Sequence, residues 1–109
     1  MDASHDPLGR IRAAFRTGTY EISRHAASRM LRRIIGTNEI EEVIAGAEVI
    51  ENYPEDKYGP SVLLLGFTRA GRPLHIQVAH ERMRVITVYE PDPAEWVDWR
   101  HRRRAHHGD

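Results

Sequence analysis

The side chains best suited to chemistry lie in the segment from Arg24 to Ile35, where basic and apolar residues separate onto different faces of a predicted helix. At about 100° per residue, one arc of roughly 100° holds His25, Arg29, Arg32 and Arg33. No acidic residue interrupts this basic stripe. Because guanidinium groups offer a fixed fork of donors to anionic oxygens, the stripe predicts contact with phosphate. The alternative is a basic helix face that contacts only solvent.

The other side of the same helix forms an apolar arc. Its members are Ala26, Ala27, Met30, Leu31, Ile34 and Ile35. Such an arc is typical of a helix that packs on a hydrophobic core.

A second group of polar side chains falls on one face of a predicted antiparallel sheet. Alternation assigns the core face to Leu74, Ile76, Val78, Ile86 and Val88, with positions 78 and 86 opposite each other. Antiparallel pairing then places His75 opposite Tyr89 and Gln77 opposite Thr87. These four residues form a polar patch, and the alternative is a sheet face that contacts only solvent.

The preceding strand is predicted to turn Leu63, Leu65 and Phe67 toward the core. Its pairing would bring Gly66 beside His75, where the missing side chain leaves room. We therefore expect the polar patch to lie uncovered on a rigid floor, as a substrate site requires.

RNA cleavage would suit the residues of this patch. The reaction needs one group to take the 2′-OH proton, one to protonate the leaving oxygen, and cations to hold the developing charge. In this hypothesis His75 is the acid or base, Tyr89 orients the phosphate, and Arg72 and Arg84 stabilise charge. Gln77, Thr87, Arg32 and Arg33 are the predicted substrate contacts. No metal or cofactor is required.

The relation between the basic stripe and the polar patch depends on where the helix packs. If it packs over the aliphatic face, His25 and Arg29 lie far from His75; if it lies at the sheet edge, they join the patch as further catalytic candidates. The stripe could instead bind a partner, or Arg29 could pair with Glu48 or Glu51.

The remaining pattern predicts an α+β fold, with helices packed on one face of a four-stranded antiparallel meander and with a C-terminal helix. Helices are predicted from Asp6-Pro7 to Gly18, from Ser23 to Gly36, from Thr37 to Gly46, and after an Asp92–Glu95 capping box. Strands are predicted at 49–53, 62–67, 74–79 and 85–89, after a short extended segment at 20–22. Turns are predicted at 69–72 and 80–83, and a polar loop at 54–60.

Composition indicates one domain spanning residues 1–109, with a core at 20–100, an N-terminal helix at 7–17 and a frayed tail at 105–109. The absence of cysteine excludes disulfides and thiolate zinc sites, and His106-His107 make a poor metal site. No apolar run approaches the ~20 residues of a membrane span, so we expect a cytoplasmic protein.

The net charge of zero conceals a segregation of charge. Residues 1–36 hold seven arginines against three acids, whereas residues 37–56 hold seven acids and no base. A basic surface beside an acidic one can steer a polyanion to one side of the molecule.

The motif Ser23-Arg24-His25-Ala26-Ala27-Ser28-Arg29-Met30, followed by Arg33, resembles the Ser-x-His-Ala-x-x-Arg-Met signature of a small bacterial family of unknown function. Later motifs of that family match at residues 51–56, 71–75 and 87–91, so the resemblance covers roughly residues 20–100. The signature positions carried over are His25, Arg29, Arg33, Arg72 and His75. That family is similar to the RelE and BrnT types of messenger-RNA endonuclease toxins.

The resemblance implies a RelE-like fold and a toxin of a type II toxin–antitoxin pair, a metal-independent endoribonuclease acting on messenger RNA. It also implies RNA partners, including ribosome-bound messenger RNA, and a cognate antitoxin, of the zinc-finger type in some cases. The competing hypothesis is a non-catalytic module of the same fold that binds RNA or protein through the basic stripe.

Overall fold

A computed structural model describes residues 6–103, which form three helices and seven strands. The helices are α1 (Pro7–Thr17), α2 (Arg24–Arg33) and α3 (Thr37–Ala45), and the strands are β1 (Glu21–Ile22), β2 (Glu48–Tyr53), β3 (Ser61–Phe67), β4 (Pro73–Ala79), β5 (Arg84–Tyr89), β6 (Trp96–Val97) and β7 (His101–Arg102). The predicted fraying of 105–109 and the pair His106-His107 lie outside the described residues. The predicted α+β class is confirmed.

The main sheet has five strands in the order β1-β5-β4-β3-β2, rather than the four-stranded antiparallel meander we predicted. The extra strand is β1, which pairs in parallel with β5. Two backbone hydrogen bonds hold it there: Glu21 N donates to Met83 O at 2.9 Å, and Ser23 N, just after the strand, donates to Val85 O at 3.0 Å. A segment of only two residues carries little alternation signal, so the sequence did not reveal this pairing.

The predicted bounds of α1 are confirmed by its caps. The Asp6 carboxylate accepts a hydrogen bond from Leu8 N at 3.1 Å, and Pro7 occupies the first turn. Gly18 ends the helix in the left-handed conformation, with φ 75°. Ile11 and Phe15 then face the core.

The first residue of α2 is also set by its cap, but its last residue differs from the prediction. The Ser23 hydroxyl accepts from Ala26 N and donates to Ile86 O, both at 3.0 Å, which ties the start of the helix to β5. The helix ends at Arg33, before the predicted Gly36, because Ile34 adopts the left-handed conformation with φ 55°.

Only half of the apolar arc of α2 packs on the core. Ala26, Met30 and Ile35 are buried, whereas Ala27, Leu31 and Ile34 are exposed. The apolar arc is therefore wider than the part of the helix that packs on the core. The physical reason is that α2 packs mainly on β5, near one edge of the sheet, so the body of the sheet does not extend under the rest of the arc.

The prediction for β3 placed the wrong residues on the core face. Val62 and Leu64 pack in the helix-covered core, whereas Leu63 and Leu65 are buried on the opposite face. Phe67 shares that opposite face by alternation. Nearly every residue of β3 is apolar, so alternation could not select a face.

Gly66 lies on the helix side, not beside His75 as predicted. It pairs with Leu74, while Leu65 pairs with His75. A Cβ on Gly66 would lie 2.5 Å from the Val43 carbonyl oxygen, so the missing side chain admits α3 to the sheet.

The register of β4 and β5 confirms the predicted pairs of the polar patch. His75 lies opposite Tyr89, and Gln77 lies opposite Thr87. A bulge then places Val85, rather than Ile86, opposite Val78, so Val85 is the fully buried residue.

The predicted C-terminal helix is wrong. The backbone makes one turn, in which Asp92 O accepts from Glu95 N and Trp96 N, and then forms the hairpin β6–β7. Asp98 and Trp99 both have positive φ, of 53° and 62°, which reverses the chain where a helix would continue.

This C-terminal hairpin covers the second face of the sheet. Arg100 binds the Glu48 carboxylate on β2 through two nitrogens, at 2.8 and 3.0 Å. Arg102 binds Glu51 in the same way, at 2.9 and 3.2 Å. β3 is therefore buried on both faces except at its last residue, which explains its continuous apolar run.

Replacing Ile34 with glycine should stabilise the protein. A β-branched residue in the left-handed region is strained, and the side chain of Ile34 is 83% exposed and buries little apolar area in return. We expect Ile34→Gly to raise the free energy of unfolding by about 1 kcal/mol, measured by urea denaturation. Leu31→Gly, at an equally exposed position inside the helix, should lower it by about 1 kcal/mol. A loss of stability in Ile34→Gly would contradict the assignment of strain.

Candidate active site

His75 lies at the centre of the covered face and is completely buried. Its ring contacts Tyr89 on one side, with centroids 5.2 Å apart, and Trp96 of the C-terminal hairpin on the other, at 4.4 Å. The prediction that the polar patch lies uncovered is therefore wrong. A catalytic role for His75 stays a prediction, and this conformation gives substrate no path to the ring.

Both ring nitrogens of His75 are occupied. Nε2 lies 2.7 Å from the Trp99 carbonyl oxygen, and Nδ1 lies 3.2 Å from the Tyr89 hydroxyl. Because a carbonyl can only accept, Nε2 carries the proton, and the Tyr89 hydroxyl donates to Nδ1. Burial lowers the pKa of His75 and raises the pKa of Tyr89, so both are neutral at pH 7.

Arg29 reaches this pair from α2. Its guanidinium lies 5.8 Å from the centroid of the Tyr89 ring. Arg29 of the basic stripe therefore contacts the edge of the polar patch at Tyr89, although His75 itself is buried. Arg29 does not pair with Glu48 or Glu51, whose carboxylates bind Arg100 and Arg102.

Arg72 and Arg84 cannot act on one phosphate together. Arg72 precedes β4 and Arg84 begins β5, so they lie at opposite ends of an antiparallel pair, roughly 20 Å apart. The Arg72 guanidinium donates to Arg33 O, Ile34 O and the Glu90 carboxylate, at 2.9–3.0 Å. It therefore holds the C-terminal end of α2 against the sheet.

The four predicted substrate contacts do not meet at one place. Gln77 donates to the buried Ser61 hydroxyl at 3.0 Å, on the β3 side of the second face. Thr87 lies opposite it on β5. Arg32 and Arg33 are exposed near the far end of α2.

A cleft lies at the end of the sheet where β4 ends and β5 begins, and its polar side chains are more exposed to solvent than His75. It has a volume of about 520 Å³ and lies between the start of α2, the β4–β5 turn and the loop after β2. The ionisable side chains that line it are His25, Lys57, Tyr58, Glu81, Arg82 and Arg84. His25 and Arg84, two of the predicted catalytic residues, therefore share a site, and His75 does not belong to it.

The electrostatics of this cleft favour an anion. Three cations face one carboxylate, that of Glu81, and the first turn of α2 contains no acid. Among the described residues, the Nε of Arg84 is buried without a hydrogen-bond partner, as are the Nε atoms of Arg10 and Arg29, which do not line the cleft. A buried donor without an acceptor is costly, and a bound anionic oxygen would satisfy it.

Sequence reasoning missed Lys57, Tyr58, Glu81 and Arg82, because all four lie in loops where strand alternation carries no information. The signal that could have found them is topological. In a hairpin-connected sheet the predicted loop at 54–60 and the predicted turn at 80–83 lie at the same end, next to the first residue of β5.

Comparison with known proteins gives a family but no activity. A family model described as a domain of unknown function, DUF4258, matches residues 22–90, and the chain belongs to this family. The match covers α2, α3 and β2–β5, and so includes much of the cleft. Searches of curated proteins and of solved structures found no match.

None of the helices in the region 6–103 has the length and apolar character needed to cross a membrane. Within the same region, no three or more His, Cys, Asp or Glu side chains cluster in an arrangement that could hold a metal ion.

Burial of His75 should make the stability of the protein depend on pH. The unfolded chain binds a proton on His75 near the ordinary pKa of about 6.5, whereas burial lowers that pKa in the folded protein. The contribution of His75 to stability is therefore complete above about pH 6.5 and is lost as the pH falls below this value.

Urea denaturation between pH 7.5 and 5 measures this effect. His75→Gln keeps a donor for the Trp99 carbonyl and should lose less stability on acidification than the wild type. His80→Gln is a second test of the same effect: burial and Arg10 lower the pKa of His80, so this variant should also lose less stability on acidification than the wild type. An identical pH dependence in His75→Gln and the wild type would contradict the buried neutral imidazole.

Proposed function

We propose that this protein is a metal-independent endoribonuclease whose active site is the cleft lined by His25, Lys57 and Arg84. The observation that carries the proposal is the collection in one solvent-accessible cleft of an exposed imidazole, a carboxylate and three cations. These are the groups that RNA cleavage without a metal requires.

The proposed reaction is attack of a ribose 2′-oxygen on the adjacent phosphorus, with loss of the 5′-oxygen of the next nucleotide. His25 and Glu81 are the two proton-transfer groups: one takes the 2′-OH proton and the other protonates the departing oxygen. Arg84, Lys57 and Arg82 stabilise the charge that develops on the phosphate oxygens. The products are a 2′,3′-cyclic phosphate and a 5′-hydroxyl.

We further propose that the protein is the toxin of a bacterial toxin–antitoxin pair and acts on messenger RNA in the cytoplasm. This part rests on the motifs at residues 23–30 and 71–75, which resemble those of a small bacterial family that is in turn similar to RelE and BrnT toxins. Its partners would be RNA, ribosome-bound messenger RNA included, and a cognate antitoxin.

Cleavage of a fluorescent RNA in excess EDTA tests the catalytic proposal. Wild-type protein should cut the RNA, and a 2′-deoxy substitution at the cut position should block the cut. His25→Ala should lower kcat/KM by a factor of about 10²–10⁴, as expected for loss of a general acid or base. Arg84→Ala should lower it by about 10², because one charge-stabilising donor is lost.

Two histidine variants serve as controls. His101→Ala alters an exposed histidine on β7 that does not line the cleft, and it should cleave like the wild type. His75→Gln should retain activity within about tenfold, because the ring does not reach the cleft. Intact RNA with the wild type, with and without ribosomes, would end the proposal, and salt-sensitive binding without cleavage would favour the non-catalytic module.

Growth of bacteria that express the gene tests the toxin part separately. Induction of the wild-type gene alone should arrest growth, because cleaved messenger RNA cannot be translated. Induction of the His25→Ala gene to the same protein level should not. Normal growth on wild-type induction, at a protein level confirmed by immunoblot, would contradict the toxin role without bearing on cleavage of purified RNA.

A further inference from the structure

The outward side of α2 carries an apolar ridge formed by Ala27, Leu31 and Ile34. Leu31 and Ile34 are 82% and 83% exposed, the highest values among the large hydrophobic residues of the described chain. Leu31 lies in the last turn of α2 and Ile34 is the residue that ends the helix, so both exposed side chains lie at its C-terminal end. The ridge is the half of the apolar arc that the sheet leaves uncovered.

The backbone under this ridge is strained as well. Ile34 ends α2 in the left-handed conformation with φ 55°, at a position where glycine or asparagine is the usual residue. An isoleucine at this position lowers the stability of the isolated protein in two ways, by backbone strain and by exposure of apolar surface. Its side chain would stabilise a complex in which a partner covers it.

Charge next to the ridge indicates what covers it. Arg24, Arg32 and Arg33 are exposed on the same helix, and no acid occurs between Glu21 and Glu39. Within the described residues, the Arg32 guanidinium bonds only to the Ser28 hydroxyl, at 3.2 Å, and Arg33 forms no salt bridge. The ridge therefore lies among cations that lack acidic partners.

We propose that the α2 ridge docks an acidic amphipathic helix of a protein partner. The apolar face of that helix would cover Leu31 and Ile34, and its carboxylates would pair with Arg24, Arg32 and Arg33. Because α2 has ten residues and spans about 15 Å, roughly three turns of partner helix suffice.

Other occupants fit this surface less well. A second copy of the chain would bring the same arginines together, which repels. Helices that bind a membrane surface present a longer apolar face, whereas the ridge contains only two large apolar side chains. RNA would contact the arginines but would leave Leu31 and Ile34 uncovered. The proposal is independent of the ribonuclease activity, because it concerns a different surface from the cleft.

Titration of the full ¹⁵N-labelled protein with designed peptides tests the docking site. The probe is an 18-residue, end-blocked peptide with leucine at helical i, i+3, i+4 spacing and glutamate elsewhere. The comparison peptide has lysine in place of every glutamate. We expect the acidic peptide to shift amide signals within residues 24–34, and the lysine peptide to shift none.

Three variants sharpen the test. Leu31→Ser and Ile34→Gly should each weaken binding of the acidic peptide at least tenfold, and Ile34→Gly should do so while the Tm rises, which excludes unfolding as the cause. Val97→Ser, at a 42% exposed position on β6, should bind like the wild type.

Four results would overturn the proposal. They are absence of binding at 1 mM acidic peptide, equal binding of the lysine peptide, undiminished binding by Leu31→Ser, and signal shifts at residues 31–34 caused instead by anionic vesicles, RNA or self-association.

Discussion

The parallel pairing of two residues, Glu21 and Ile22, with the start of β5 fixes where α2 lies, and both proposed sites depend on this placement. The Ser23 hydroxyl extends the attachment by capping α2 and donating to Ile86 O. A helix held at the sheet edge brings its first turn next to Arg84 and forms the cleft. The same placement leaves the outer half of its apolar arc without a sheet beneath it. One local constraint thus produces both an anion-binding cleft and an apolar ridge.

The C-terminal hairpin has the opposite effect on the other half of the molecule. It closes over the second face and turns a histidine–tyrosine pair into a buried hydrogen-bonded unit, with Trp99 O as the acceptor for Nε2 and the Tyr89 hydroxyl as the donor to Nδ1. Ion pairs to Glu48 and Glu51 fasten the hairpin to β2. The accessible chemistry is therefore displaced to the end of the sheet that the hairpin does not cover. His75 is separated from His25 both by the burial of its ring and by its position on β4, away from the cleft.

Local signals in the sequence were sufficient for several elements. The Asp6-Pro7 cap and Gly18 set both ends of α1, and alternation correctly paired His75 with Tyr89. Alternation failed for β3, because a strand buried on both faces is apolar at nearly every position. The Asp92–Glu95 box predicted a helix, but it supplied only one turn before packing of Trp96 and two left-handed residues produced a hairpin. His25 and Arg84 were predictable as candidates; their meeting in one cleft was not, because it depends on long-range pairing through β1.

Nucleotide binding measured residue by residue tests most directly whether the cleft beside α2, rather than the covered polar patch, is the site. The measurement is an NMR titration of the ¹⁵N-labelled protein with a short RNA whose 2′-hydroxyls are replaced by hydrogen, so that it binds without being cut. Shifts that saturate together at His25, Lys57 and Arg84, and that leave His75 and Trp99 unchanged, are the predicted result. Shifts centred on His75 and Tyr89, with loss of the Trp99 contact, would contradict the assignment of the cleft and return the chemistry to the covered face.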